Sequence, residues 1–135
     1  MRVTVNGVRY AISFYHDREV RKERLLGKTH CMVRRCEPDG TWAYLCGAVA
    51  RCHIRDTYNK QTGRDLAFTR AMETLAVIRV VTRDTRKALW MAYRMRGDIK
   101  GWPTYEELVA HAAERAAHLG GDAMNGGGPG RVRGC

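Results

Sequence analysis

No stretch of this chain is long and apolar enough to span a bilayer, and its start, MRVTVNGVRY, lacks the apolar core and cleavage site of a signal peptide. A membrane protein and a secreted one are both excluded as expectations. There is no paired C-x-x-C knuckle either: Cys31, Cys36, Cys46 and Cys52 are spaced by five, ten and six residues, and the fifth cysteine, Cys135, stands alone at the end. An odd number of thiols in a chain without a secretory signal argues against a disulfide framework. His30 and His53 adjoin two of the cysteines, yet the spacing is not that of a structural zinc site, so no metal and no cofactor are expected. Catalytic signatures are missing as well. The neighbours His30-Cys31 and Cys52-His53 would point to opposite faces of a strand, so neither pair forms a nucleophile and base by itself, and a non-enzymatic protein is expected.

Negative charge is also scarce. Against 24 Lys and Arg stand 14 Asp and Glu, a formal net charge of +10. The excess is uneven: +7 in residues 1–64, +4 in 65–100 and −1 in 101–135. The partner of the first hundred residues is therefore expected to be anionic, whether nucleic acid, a phosphate-rich ligand or an acidic protein face. Nineteen of the basic residues are Arg, whose planar fork suits bidentate phosphate recognition.

A length of 135 residues fits one domain able to bury a core unaided. Val3-Thr4-Val5 and Val8-Arg9-Tyr10 flank Asn6-Gly7, the preferred pair for a two-residue hairpin turn. The second strand runs on to Tyr15, where the charged stretch Asp17–Arg24 should interrupt it as a short Asp17-capped helix or a solvated loop ending at Gly27. A second hairpin follows, with strands near 29–36 and 42–54 around Glu37-Pro38-Asp39-Gly40-Thr41. Strict alternation would put Tyr44, Cys46, Ala48, Ala50 and Cys52 on one face of its long second strand. Beyond the polar turn 56–62, residues 64–81 read as a helix capped by Thr62, apolar on most sides and so either central or shared with another subunit of a homo-oligomer. The β-branched run 77–81 should break it, with a new helix starting at Thr82 and Asp84. Thr104 and Glu107 form a capping box for a last helix at 105–119. The expectation is an α+β domain over 1–119, an antiparallel sheet of two hairpins followed by two or three helices, and a disordered Gly-rich tail over 120–135.

The junction between the long strand and the first long helix is the candidate site. Helix N-termini offer unpaired N–H groups to anions, and Arg51, Arg55, Asn59, Lys60, Arg64 and Arg70 cluster around it in sequence. Arg64 and Arg70 are offset by about 120° on a helix, so in a purely structural role one would pair with Asp56 or Glu73. Aromatics interleaved with Arg support nucleic acid more generally: Tyr10, Phe14, Tyr15 and Tyr58 near the sheet, and Trp90 and Tyr93 beside Arg94 and Arg96. No ribonucleoprotein signature, GXXG loop, zinc finger or clear helix-turn-helix accompanies them.

The segment from Gly47 to Ala71 contains C-x3-D-x-Y-N-x3-G-R-x2-A-x2-R-A, carried by Cys52, Asp56, Tyr58, Asn59, Gly63, Arg64, Ala67, Arg70 and Ala71. It resembles a strand–turn–helix segment of small accessory proteins of tailed phages and prophages. The resemblance implies an accessory protein acting in the host cytoplasm on an anionic host target, namely nucleic acid or a nucleic-acid-handling defence complex, and so countering host immunity. In size and layout the chain is also similar to oligomeric phage sponges, which implies the alternative of sequestering a cyclic nucleotide-type signal.

Overall fold

The computed structural model describes residues 1–21, 24–51 and 59–119. Within them the chain is an α+β domain. Strands β1 (Arg2–Val5), β2 (Val8–Arg21), β3 (Arg24–Cys36) and β4 (Trp42–Arg51) form an antiparallel sheet in that order, followed by helices α1 (Lys60–Ile78), α2 (Arg83–Arg94) and α3 (Tyr105–Leu119). The tail 120–135 and residues 52–58, with Cys52, His53, Arg55, Asp56 and Tyr58, lie outside the described residues.

The first turn is built as the sequence predicts: Asn6 and Gly7 both take positive φ, 52° and 78°. The second closes through Glu37 N–H to Thr41 O at 2.7 Å, with the Asp39 carboxylate accepting from the Thr41 amide at 2.9 Å. Between them the expectation fails. Residues 17–21 and 24 are neither helix nor loop: Asp17 pairs with Lys28, Arg18 with Gly27 and Arg21 with Arg24, so β2 and β3 continue as a paired ribbon, and Gly27 lies inside β3. The last β3–β4 pair is Lys28 with Arg51, so the outer part of the ribbon has only two paired strands among the described residues. The charged stretch has no apolar stripe that a helix could bury, whereas strand pairing needs none.

The start of α1 also differs. Asn59, not Thr62, is the N-cap, its side-chain oxygen accepting from the amides of Gln61 (2.9 Å) and Thr62 (3.1 Å). The helix thus contains Gly63, which lies directly against Thr29 of β3, where a Cβ would collide with the threonine hydroxyl. Close approach of helix and sheet explains a glycine that helix propensity alone disfavours. The helix stops after Ile78, where Arg79 turns left-handed (φ 55°) and donates to Leu75 O at 3.1 Å. Thr82 then caps α2, accepting from the Thr85 amide, and Thr104 caps α3, accepting from the Glu107 amide, as their sequences predict.

Helices α1 and α2 cover one face of the sheet. Ala67, Phe68, Ala71, Met72 and Leu75 of α1 meet Leu89, Ala92 and Tyr93 of α2 above Val3, Ile12, Cys31, Val33 and Cys46 of the strands. Phe68, fully buried, is stacked on Tyr93 at 4.3 Å and meets Trp90 edge-on at 4.7 Å. The Tyr93 hydroxyl donates to the Asp65 carboxylate, giving that polar atom of the aromatic cluster a partner. Among the described residues the opposite face of the sheet carries no helix.

Two buried thiols make the core pH-sensitive. Burial pushes the Cys31 thiol up to about 12 and the Cys46 thiol up to about 11, from an ordinary value of 9.0. Above pH 9 the unfolded chain loses these protons while the native chain keeps them, so stability falls as pH rises from about 9 toward 11 and 12. The slope should approach about 1.4 kcal/mol per pH unit for each thiol, to be read from urea melts at pH 8 and pH 10. In the native protein a thiol reagent should modify the half-exposed Cys36 before Cys31 or Cys46, and equal rates would contradict their burial.

Candidate functional site on the open face of the sheet

Alternation decides which side chains face away from the helices. On β2 and β3 they are Arg9, Ser13 and Tyr15, and His30, Met32 and Arg34. On β4 a bulge leaves Leu45 unpaired, since Val33 pairs with Cys46 and Arg34 with Tyr44. The extra residue reverses the expected side of Tyr44, which lies on the open face, 64% exposed, with its hydroxyl over Gly47. A Cβ on Gly47 would strike that hydroxyl.

The connector between α2 and α3 supplies the remaining piece. Gly97 and Gly101 take positive φ, and the chain then runs beside β1: Thr4 N–H donates to Pro103 O at 2.8 Å and Thr4 Oγ1 to Trp102 O at 3.3 Å. This pairing covers the β1 edge and carries Trp102 round to the open face. There its indole stacks with that of Trp42 from the start of β4, ring centres 5.7 Å apart and planes 17° from parallel. Arg2 and Arg9 each lie 5.2 Å from the Trp102 ring, and Arg34 lies 5.9 Å from the Trp42 ring. Among the described residues no carboxylate comes within 4 Å of these three guanidiniums. Farther along the same face Tyr15 packs on His30 at 5.4 Å, and Lys28 and Arg51 pair at the end of β4. From Trp42 to Arg51 the face runs on the order of 30 Å, lined by rings and cations. Its chemistry is that of a stacking platform with bound positive charge.

The residues singled out in sequence are distributed differently. Arg51 lies exposed on this face at its far end. Arg55 is outside the described residues. Asn59 spends its side-chain oxygen on the helix cap, and Lys60 is exposed beside it. Arg64 turns toward β2, donating from Nη2 to Gln61 Oε1 at 3.0 Å and from Nη1 to His16 Nε2 at 3.4 Å. Because arginine only donates, the neutral His16 ring carries its proton on Nδ1, toward Thr29 Oγ1 at 3.0 Å. Burial, then Arg64 and Lys60, hold His16 below the usual histidine range. Arg70 points the other way and donates to Val49 O at 2.8 Å, not to Glu73; Asp56, the other expected partner, lies outside the described residues. Asn59, Lys60 and Arg64 therefore stay together at the start of α1, while Arg70 belongs to the edge of β4. Of the aromatics, Tyr10, Phe14, Trp90 and Tyr93 pack in or against the core, with Arg94 over Trp90 and Arg96 over Tyr93; Tyr15 faces solvent.

Sequence reasoning missed Arg2, Arg9, Ser13, Arg34, Trp42, Tyr44 and Trp102. The outward alternation of Arg9, Ser13 and Tyr15 was a usable signal for three positions of this face, but the arrival of Trp102 depends on a connector path that no local pattern encodes. Among the described residues no three His, Cys, Asp or Glu side chains gather as metal ligands, and no helix is long and apolar enough to cross a membrane. The chain matches no family model, no curated protein and no solved structure, so a functional reading rests on this geometry.

Proposed function

We propose that this chain is a non-enzymatic binding protein whose open sheet face holds a single strand of nucleic acid. The observation that carries the reading is the Trp42–Trp102 pair set among Arg2, Arg9 and Arg34 on the sheet face that α1, α2 and α3 leave open. Trp42 is 41% exposed and Trp102 is half-buried; the ring surface left between their guanidinium neighbours would stack an unpaired base, which a duplex hides inside itself, while the guanidiniums take the phosphates. The net charge of +10 adds long-range attraction. In the setting implied by the resemblance to phage accessory proteins, the strand belongs to the host or to a defence complex that handles nucleic acid. The second reading, a sponge for a cyclic nucleotide-type signal, draws on the small Arg-lined recess beside the two indoles.

The test is fluorescence anisotropy with a labelled twelve-nucleotide single strand and the matching duplex, across a salt series. The single strand should bind more tightly, with an affinity that falls steeply as salt rises, by a slope of about 0.7 per phosphate contacted. Preference for the duplex would overturn the reading, as would affinity independent of salt.

A further inference from the structure

We propose that the recess bounded by Arg2, Ser13, Arg34, Trp42 and Trp102 is a nucleotide subsite, taking one phosphate at Arg34 and one base against the indoles. The inference rests on the reading of the open face above and names what a single part of that face recognises. The recess has a volume of about 270 Å³. Its floor is β2 and β3, and its walls are the two indoles and the Arg2 side chain.

Arg34 is what makes it a built site. Its Nη2 donates to Ser13 Oγ at 3.2 Å, which fixes the guanidinium across the strand. Its Nε is buried and has no protein partner. A guanidinium has five N–H donors in a planar fork; one is used on Ser13, and Nε is shut away from solvent. That edge is closed to a ligand as well, so it is the Nη groups on the recess that an anionic acceptor would meet with short, charge-assisted bonds. A phosphate matches the fork bidentately, and Arg2 adds a second cation on the same recess. The indole walls favour a flat ring attached to that anion over a bare anion. A 5′-nucleotide has both parts, whether it is a unit of a strand or free in solution.

The experiment uses the full chain carrying Trp90→Phe, so that tryptophan fluorescence reports Trp42 and Trp102 alone. Adenosine 5′-monophosphate, adenosine, inorganic phosphate and a twelve-nucleotide single strand are titrated separately. The monophosphate should quench saturably and bind about tenfold or more tightly than adenosine or phosphate. Arg34→Gln should erase the advantage of the monophosphate over adenosine, and Arg34→Lys, which keeps charge but not the fork, should restore only part of it. Thermal melts of both variants confirm that the fold survives. If Arg34→Gln does not fold, Ser13→Ala, which releases the guanidinium, should show a smaller loss of the same kind. The proposal is overturned if the monophosphate binds no better than adenosine, or if neither variant changes the ratio. A strand that binds with steep salt dependence while the monophosphate does not removes the subsite and leaves the strand reading standing. Monophosphate binding without strand binding keeps the subsite, removes the strand reading and makes a free nucleotide the ligand.

Discussion

Replacing Trp42 and Trp102 together by alanine should weaken single-strand binding by about 30- to 1,000-fold and leave the chain folded. Stacking of a base on an aromatic side chain contributes about 1–3 kcal/mol; two indoles that also cover part of each other contribute less than twice the upper figure, about 2–4 kcal/mol together. Neither residue belongs to the buried core: Trp42 is 41% exposed, and the pair lies on the face the helices leave open. Thermal stability should therefore change little, and anisotropy at fixed salt gives the affinity directly. The salt slope separates the two parts of the site. The double variant should keep the wild-type slope because no charge is lost, whereas Arg9→Gln should lower it by about one counterion with a smaller loss of affinity. Unchanged affinity in the double variant would show that the indoles do not touch the strand.

Phe68→Ala should have the opposite signature, a loss of about 3–5 kcal/mol of stability. That is a large part of the roughly 5–15 kcal/mol that holds a domain of this size together. Phe68 is fully buried between the sheet and α2, with Tyr93 stacked on one side at 4.3 Å and Trp90 edge-on at 4.7 Å. Truncation removes both ring contacts and leaves a cavity that the stiff cluster, held by the Tyr93–Asp65 bond, cannot close. Urea melts would report the loss as a lower midpoint. Under conditions where the variant remains folded, its affinity for a single strand should match the wild type, since Phe68 lies on the other side of the sheet from Trp42. A loss below about 1 kcal/mol would contradict the packing described for this cluster.

Local chemistry made the hairpins and caps legible. Asn6-Gly7 tolerates two positive φ angles, Thr82 and Thr104 offer hydroxyls to orphan amides, and the β-branched residues around Arg79 disfavour another helical turn. What could not be read locally involves contacts between distant segments. Gly63 argues against a helix until Thr29 is known to lie against it, which is why the cap was expected at Thr62 rather than Asn59. The ribbon from Asp17 to Lys28 is held by cross-strand pairing, to which its charged composition gives no clue. The bulge at Leu45 inverts the side of Tyr44, and a single unpaired residue leaves no mark on an alternating pattern.

The candidate site followed the same division. A basic chain with aromatics interleaved among its arginines was legible from charge and composition, and Arg51 and Tyr15, both named among the candidates, lie exposed. The centre of the open face was not, because it joins residues from β1, β2, β3, β4 and the connector before α3, with Trp42 and Trp102 sixty positions apart. The emphasis on the start of α1 came from the general affinity of helix N-termini for anions, whereas the path of the connector past β1 determines where the indoles meet.

The central claim is that the strand lies on the sheet face opposite the helices. Its most direct test is amide and indole chemical-shift mapping by NMR, with a twelve-nucleotide single strand added to the full chain at low salt. The account predicts saturable shifts at the Trp42 and Trp102 indole N–H groups and at the amides of Ser13, Met32, Arg34 and Tyr44, with α2 and α3 quiet. Shifts confined to Lys60, Arg64 and the first turn of α1, with both indoles unmoved, would contradict it and place the anion at the helix N-terminus instead.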